Sequence, residues 1–201
     1  SGRTQILLGP ATDSEDKHIL QQIQKNADSA SRILDDLMAF ASPARPKPGR
    51  VTIDQIISEA RQLAAIRTDT GQLNIETESG DTEHCVLVDS AQIASAVANI
   101  FSNAYESYED QEGPIRIRLN TDESDTFAKL EITDFGCGMD SQTIKNCTKP
   151  FFCSKAAGRN RGMGLSHSQR LIHLNKGSLG IKSRPGKGTT VTVLLPGTTA
   201  L

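Results

Sequence analysis

At 201 residues the chain has room for one ordinary domain and one added element. A hydrophobic content of 36%, an aromatic content of 4% and no Trp describe a modest aliphatic core, and a net charge of -2 argues against a nucleic-acid footprint or a disordered acidic tail. No apolar run approaches the roughly 20 residues of a membrane span and no secretory signal opens the chain, so a cytoplasmic segment is expected, whether or not a longer parent is membrane-anchored. The four cysteines, Cys85, Cys137, Cys147 and Cys153, have no Cys-x-x-Cys pairing and are expected as free thiols.

Residues 1–8 read as the tail of a helix. Residues 12–41 read as one long helix, opened by a capping box at Thr12 and Glu15. Ile19, Ile23, Ala27, Ala30, Leu34, Leu37 and Ala41 recur at spacings of four and three, the seam of a helical hairpin or coiled coil. Pro43, Pro46, Pro48 and Gly49 then stop the helix and form a stiff linker. Beyond it the pattern predicts an amphipathic helix from Thr52 to about Ile66, short strands at Leu73–Thr77 and Cys85–Asp89, and a helix at Ser90–Tyr108. Alternating strands follow at Ile115–Asn120 and Phe127–Thr133, then short helices at Asp140–Asn146 and Gly164–Leu174. A hairpin of Ser178–Ser183 and Thr189–Leu195 closes the chain. Helices and strands mix without a regular βαβ repeat, which points to an α/β sandwich with helices on one sheet face.

Four small-residue motifs stand on these elements. In the first, Asn99-Ile-Phe-Ser-Asn103, the two amides lie one helical turn apart, aligned with Gln92 and Glu106 and opposite the apolar face of Ile93, Val97, Ile100, Phe101 and Ala104. A solvated face is the ordinary reading, but the neighbours Ser95, Ala96 and Ser102 are small and uncharged, which points to a stripe that faces a ligand. An amide oxygen there suits Mg²⁺. The second motif, Asp134-Phe-Gly-Cys-Gly-Met139, is either a turn or a carboxylate that accepts the exocyclic amine of adenine and repels guanine. Gly136 and Gly138 permit close backbone approach or positive φ.

The third motif, Gly162-Met-Gly164-Leu165, opens a helix whose N-terminal amides favour phosphate, with a flexible loop as the bland alternative. Before it, Cys153–Arg161 carries Lys155, Arg159 and Arg161 around Gly158, the composition of a lid or of a plain basic loop. The fourth, Gly186-Lys-Gly-Thr189-Thr190, fits a tight hairpin turn, with a Thr189 hydroxyl placed to support Asp134 or a water between it and the base.

In this order the motifs resemble the GHKL superfamily (gyrase, heat-shock chaperone, histidine kinase and MutL), and within it bacterial sensor histidine kinases. Asn99 and Asn103 are similar to the N box, Asp134–Gly138 to the G1 box and Pro150-Phe151-Phe152 to the F box. Gly162–Gly164 is similar to the G2 box and Gly186–Thr190 to the last glycine box. The resemblance implies an α+β Bergerat-type sandwich, a mixed sheet with one helical layer, that binds Mg-ATP under a lid. It implies Asn103 as the Mg²⁺ ligand, Asp134 as the adenine acceptor, and Asn99 and Lys155 as catalytic residues. By the same resemblance Gly136, Gly138, Met139, Phe151, Ser154, Gly162, Gly164, Leu165 and Thr189 surround the nucleotide.

ATPases of the superfamily carry a Glu one turn before the metal-binding Asn. Here that position is Asn99, which cannot act as a general base near neutral pH. That favours phosphoryl transfer over hydrolysis. The resemblance divides the chain into a partial dimerisation and phosphotransfer hairpin with its linker at 1–48, and a catalytic ATP-binding domain at 49–201. The phosphoacceptor His is expected upstream of residue 1, because His18 lacks the acidic residue and nearby Pro of the family's H box. Implied partners are a response regulator and, through the hairpin, a second copy of the parent. The alternatives are an ATP- or ADP-sensing module that never transfers phosphate, and a GHKL ATPase.

Overall fold

The computed structural model describes residues 18–24, 26–27, 38, 44–68, 73–78, 84–109, 111–121, 126–153 and 162–198. The chain divides into two units, Ser1–Ala44 and Arg45–Leu201. In the first, residues 18–24 and 26–27 are helical, and Ile19 and Ile23 are exposed. The capping box at Thr12 and the seam positions Ala30, Leu34, Leu37 and Ala41 lie outside the described residues, as do residues 1–8.

The second unit begins with a strand that the prolines conceal. Gly49–Thr52 (β1) pairs antiparallel with Cys85–Val88 (β3), so Gly49 belongs to a strand and not to the linker. Thr52 then starts Ile53–Thr68 (α1) with a reciprocal cap: Gln55 N–H donates to Thr52 Oγ1 at 3.2 Å and Thr52 N–H donates to Gln55 Oε1 at 3.2 Å. Ile53, Ile56, Ile57, Ala60 and Ala64 form the buried stripe of α1. Ile75–Thr77 (β2) is shorter than its apolar pattern predicts, since Leu73 and Asn74 precede it as coil.

Ser90–Glu106 (α2) is capped by Asp89, whose Oδ1 accepts from Gln92 N–H at 3.1 Å. It is buried on most of its circumference, with Phe101 at its centre. The small residues there serve helix packing. Ser168 of Gly164–Leu174 (α4) donates to Ala96 O at 2.8 Å, and Ser95 faces Arg67 of α1. Gln92 is also structural, its Oε1 accepting from Asn175 Nδ2 at 2.9 Å.

The main sheet has the order β2-β4-β5-β7-β6, built with Ile115–Thr121 (β4), Phe127–Asp134 (β5), Ser178–Ser183 (β6) and Thr189–Pro196 (β7). β2 pairs parallel with β4, and the other neighbours are antiparallel. Period-two alternation sends Ile115, Ile117, Ala128, Leu130, Ile132, Val191, Val193 and Leu195 into one core with α1, α2 and α4. The opposite face is polar, with Arg116–Glu76 at 3.2 Å and Lys129–Glu131 at 2.7 Å among its ion pairs. One sheet face is thus covered by helices, the α+β Bergerat-type sandwich. Ser141–Asn146 (α3) lies outside this layer, with Asp140 as its N-cap.

Candidate functional site

The phase of β5 places the first candidate side chain. Asp134 continues the inward series Ala128, Leu130, Ile132, so a carboxylate ends up 5% exposed at the edge of the core. A buried charge needs donors. Gly136 N–H at 3.0 Å and Thr189 N–H at 3.2 Å both donate to its Oδ1, and Ser107 Oγ lies 2.9 Å from the same oxygen. The single Ser107 hydroxyl proton is shared with Ala104 O, at 2.7 Å. Asp134 and Thr189 are register partners across β5 and β7. It is therefore the main chain of Thr189 that supports the carboxylate. The Thr189 hydroxyl lies 2.9 Å from Ser183 Oγ instead.

Glycines let these segments meet. A Cβ on Gly136 would lie 2.0 Å from Ser107 Oγ, and one on Gly188, at φ +81°, would lie 2.0 Å from Asp134 O. The end of α2 is stapled to the loop after Asp134 by two further bonds. Cys137 N–H donates to Ser107 O at 2.9 Å, and Phe135 N–H donates to Tyr108 Oη at 2.8 Å. Burial pushes the Tyr108 phenol above its ordinary pKa, and its hydroxyl donates to Pro114 O at 2.7 Å. Arg116 stacks on Phe135, 4.7 Å from the ring centre. Met139 N–H is held by Ser183 Oγ at 2.8 Å.

One turn before Ser107 stands Asn103, whose Nδ2 is buried without a hydrogen-bond partner among the described residues. Such an orphan costs about 1–3 kcal/mol and needs a reason. Gly164, the first residue of α4, supplies the geometry: a Cβ there would lie 3.4 Å from Asn103 Nδ2, 3.7 Å from Asn103 Oδ1 and 3.9 Å from Asn99 Cβ. The glycine start of α4, its leading amides and the Asn103 carboxamide thus converge, with the Asn99 Cβ beside them. Such a grouping fits phosphate oxygens at the donors and a hard cation at the Asn103 oxygen. Leu165, beside Gly164, packs partly against the core.

Asn99 is held differently. Its Oδ1 accepts from Arg67 Nη1 at 2.6 Å. Phe151 stands exposed at a positive φ of 64°. Gly162, at φ +64°, packs where a Cβ would lie 2.5 Å from Phe152 O. Ser154 and Lys155, with the rest of the predicted lid up to Arg161, lie outside the described residues. Ser107, Tyr108, Ser183 and Arg67 join the site without a sequence signal, because each acts through a partner distant in sequence. All four cysteines are free thiols. Among the described residues no helix is long and apolar enough to cross a membrane.

Residues 88–199 match the family described as histidine kinase-, DNA gyrase B-, and HSP90-like ATPase. A protein named as a sensor in Shewanella frigidimarina (strain NCIMB 400) is 33% identical over 86% of this chain and 26% of its own length. The signal transduction histidine-protein kinase AtoS of Escherichia coli (strain K12) is 29% identical over 97% of this chain and 31% of its own length. The chain therefore spans about a quarter to a third of these relatives. The crystal structure of full-length ShkA in complex with AMPPNP superposes with a TM-score of 0.79, covering 98% of this chain and 42% of that one at 16% identity.

Proposed function

The chain belongs to the histidine kinase-, DNA gyrase B-, and HSP90-like ATPase family, with the catalytic domain of a histidine kinase, and from that premise we propose that it is the ATP-binding catalytic portion of a two-component sensor kinase. It transfers the γ-phosphoryl group of ATP to a histidine outside these residues, and the phosphate passes from there to a response regulator. The observation that carries this reading is the convergence of Gly164 on Asn103 and Asn99, with a buried Asn103 amide in need of a partner.

The base end is set by Asp134. With its Oδ1 anchored by main-chain donors, the carboxylate is rigid and accepts the exocyclic amine of adenine, and it repels the carbonyl oxygen that guanine has there. The phosphate end is set by the leading amides of α4, by Asn103 and by Lys155. Mg²⁺, held by the Asn103 oxygen, would supply charge neutralisation on the transferring group. Positioning does the remaining work, since the site has no general base at residue 99. The hairpin at 1–48 would pair two copies of the parent, which is cytoplasmic over these residues.

Calorimetric titration tests the ligand. ATP with Mg²⁺ is expected to bind well above GTP. Equal affinity for the two would remove Asp134 from its role.

A further inference from the structure

Resting on the reading of Asn99 above, we propose that Arg67 is a positioning residue that fixes which end of the Asn99 amide meets the phosphates. A carboxamide has two chemically opposite ends of nearly equal shape, and a free Asn side chain presents either. At position 99 the choice is made by a residue on another helix. Arg67, in the last turn of α1, places Nη1 2.6 Å from Asn99 Oδ1 and 3.3 Å from Ser95 O, and Nη2 3.1 Å from Ser95 Oγ.

A guanidinium only donates, so the end of Asn99 turned to it is the oxygen. Three contacts across two α2 residues one turn apart hold the planar fork at a set angle, which a single contact would not do. The amide nitrogen is then the end left to serve the ligand. Asn99 presents donors to a polyanion, and its oxygen is committed elsewhere.

Two consequences separate Asn99 from Asn103. Asn99 is no cation ligand through Oδ1, so the metal role falls on Asn103 alone. It also adds a second obstacle to hydrolysis. A carboxylate at position 99 would face the same guanidinium, which would hold its pKa down and weaken it as a base. Arg67 lies in the exposed last turn of α1, outside the four small-residue motifs in sequence, and meets the first of them only in the fold.

The test is a double-mutant cycle on ATP binding by the full chain, with AMP as the control that lacks the distal phosphates. Arg67→Met and Asn99→Ala are each expected to weaken ATP binding by about 10-fold, the loss of roughly one charge-assisted contact, with AMP binding unchanged. The double variant is expected to be no weaker than Asn99→Ala, because the effect of Arg67 on ATP passes through that side chain. Arg67→Lys, which still reaches one acceptor, is expected to recover part of the loss.

In heteronuclear spectra the Asn99 Nδ2 resonance should move on adding ATP to the native chain and stay put in Arg67→Met, a signature that a merely structural role would not produce. Melting curves identify a misfolded Arg67→Met, in which case Arg67→Lys carries the comparison. Additive penalties in the double variant overturn the role of Arg67 and leave that of Asn99 standing. Native ATP affinity in Asn99→Ala overturns the reading of Asn99 itself, and the role of Arg67 with it.

Discussion

Replacing Asp134 by Asn separates the observed anchoring of its Oδ1 from the proposed contact with adenine. Gly136 N–H, Thr189 N–H and the Ser107 hydroxyl, at 2.9–3.2 Å, meet on Oδ1, an atom that Asn keeps as a carbonyl oxygen. The three contacts therefore survive but lose charge assistance, which is worth about 1 kcal/mol each. Relief of the buried charge offsets part of that, leaving a net loss of about 1–3 kcal/mol. For a domain of this size that lowers Tm by roughly 2–4 °C per kcal/mol. Asp134→Ala removes the acceptor entirely and orphans two main-chain N–H groups, so it should melt well below Asn.

Binding responds in another way. Asn replaces Oδ2 with an NH₂ group that opposes the adenine amine donor to donor, and a loss of about 3 kcal/mol is roughly 100-fold in affinity. The same NH₂ suits the guanine oxygen, so the preference for ATP over GTP should fall. Thermal melts and paired ATP and GTP titrations read both effects. A folded Asp134→Asn protein with native ATP affinity would refute the assignment.

Gly188→Ala, at φ +81° with its Cβ 2.0 Å from Asp134 O, should cost several kcal/mol, whereas Gly186→Ala, at φ +67° with nothing within 4 Å, should cost only about 1–2 kcal/mol in urea unfolding. Equal costs would show that close approach to Asp134 is not what residue 188 provides. Alkylation followed by mass spectrometry should label exposed Cys137 well before Cys147, whose thiol is pushed up by burial; the reverse order would contradict the burial of Cys147. The N-cap bond from Thr143 N–H to Asp140, at 2.7 Å, holds that carboxyl below its ordinary pKa. Its stabilising contribution is present above the ordinary carboxylate range and lost as pH falls through the lowered value. Asp140→Ala should thus melt below the native chain near neutrality, with the gap closing in acid, and a gap constant with pH would exclude the charge as its source.

Much of the architecture was legible in the sequence because its signals are local. Gly164–Leu174 and Ser178–Ser183 have the bounds their patterns predict, since a glycine start and a strict alternation need no distant partner. β1 was hidden because Gly49 reads as linker and Thr52 as the start of a helix, and only pairing with Cys85–Val88 makes Gly49–Thr52 a strand. The reciprocal cap of Thr52 and Gln55 was available as a Thr-x-x-Gln signature and marks the start of α1. Asp134 was legible as a candidate, but its burial follows from the phase of β5, and the Thr189 support comes from main chain where a hydroxyl was expected. Ser107 and Arg67 carried no signal, because each is defined by partners brought together only in the fold.

Phosphoryl transfer itself is the decisive test. The chain is incubated with γ-labelled ATP and Mg²⁺ beside a separate polypeptide bearing a complete phosphoacceptor hairpin. The expected result is acid-labile label on a histidine of that hairpin, none on His18, and little free phosphate released. Tight ATP binding without transfer, or steady phosphate release with the hairpin unlabelled, would contradict it.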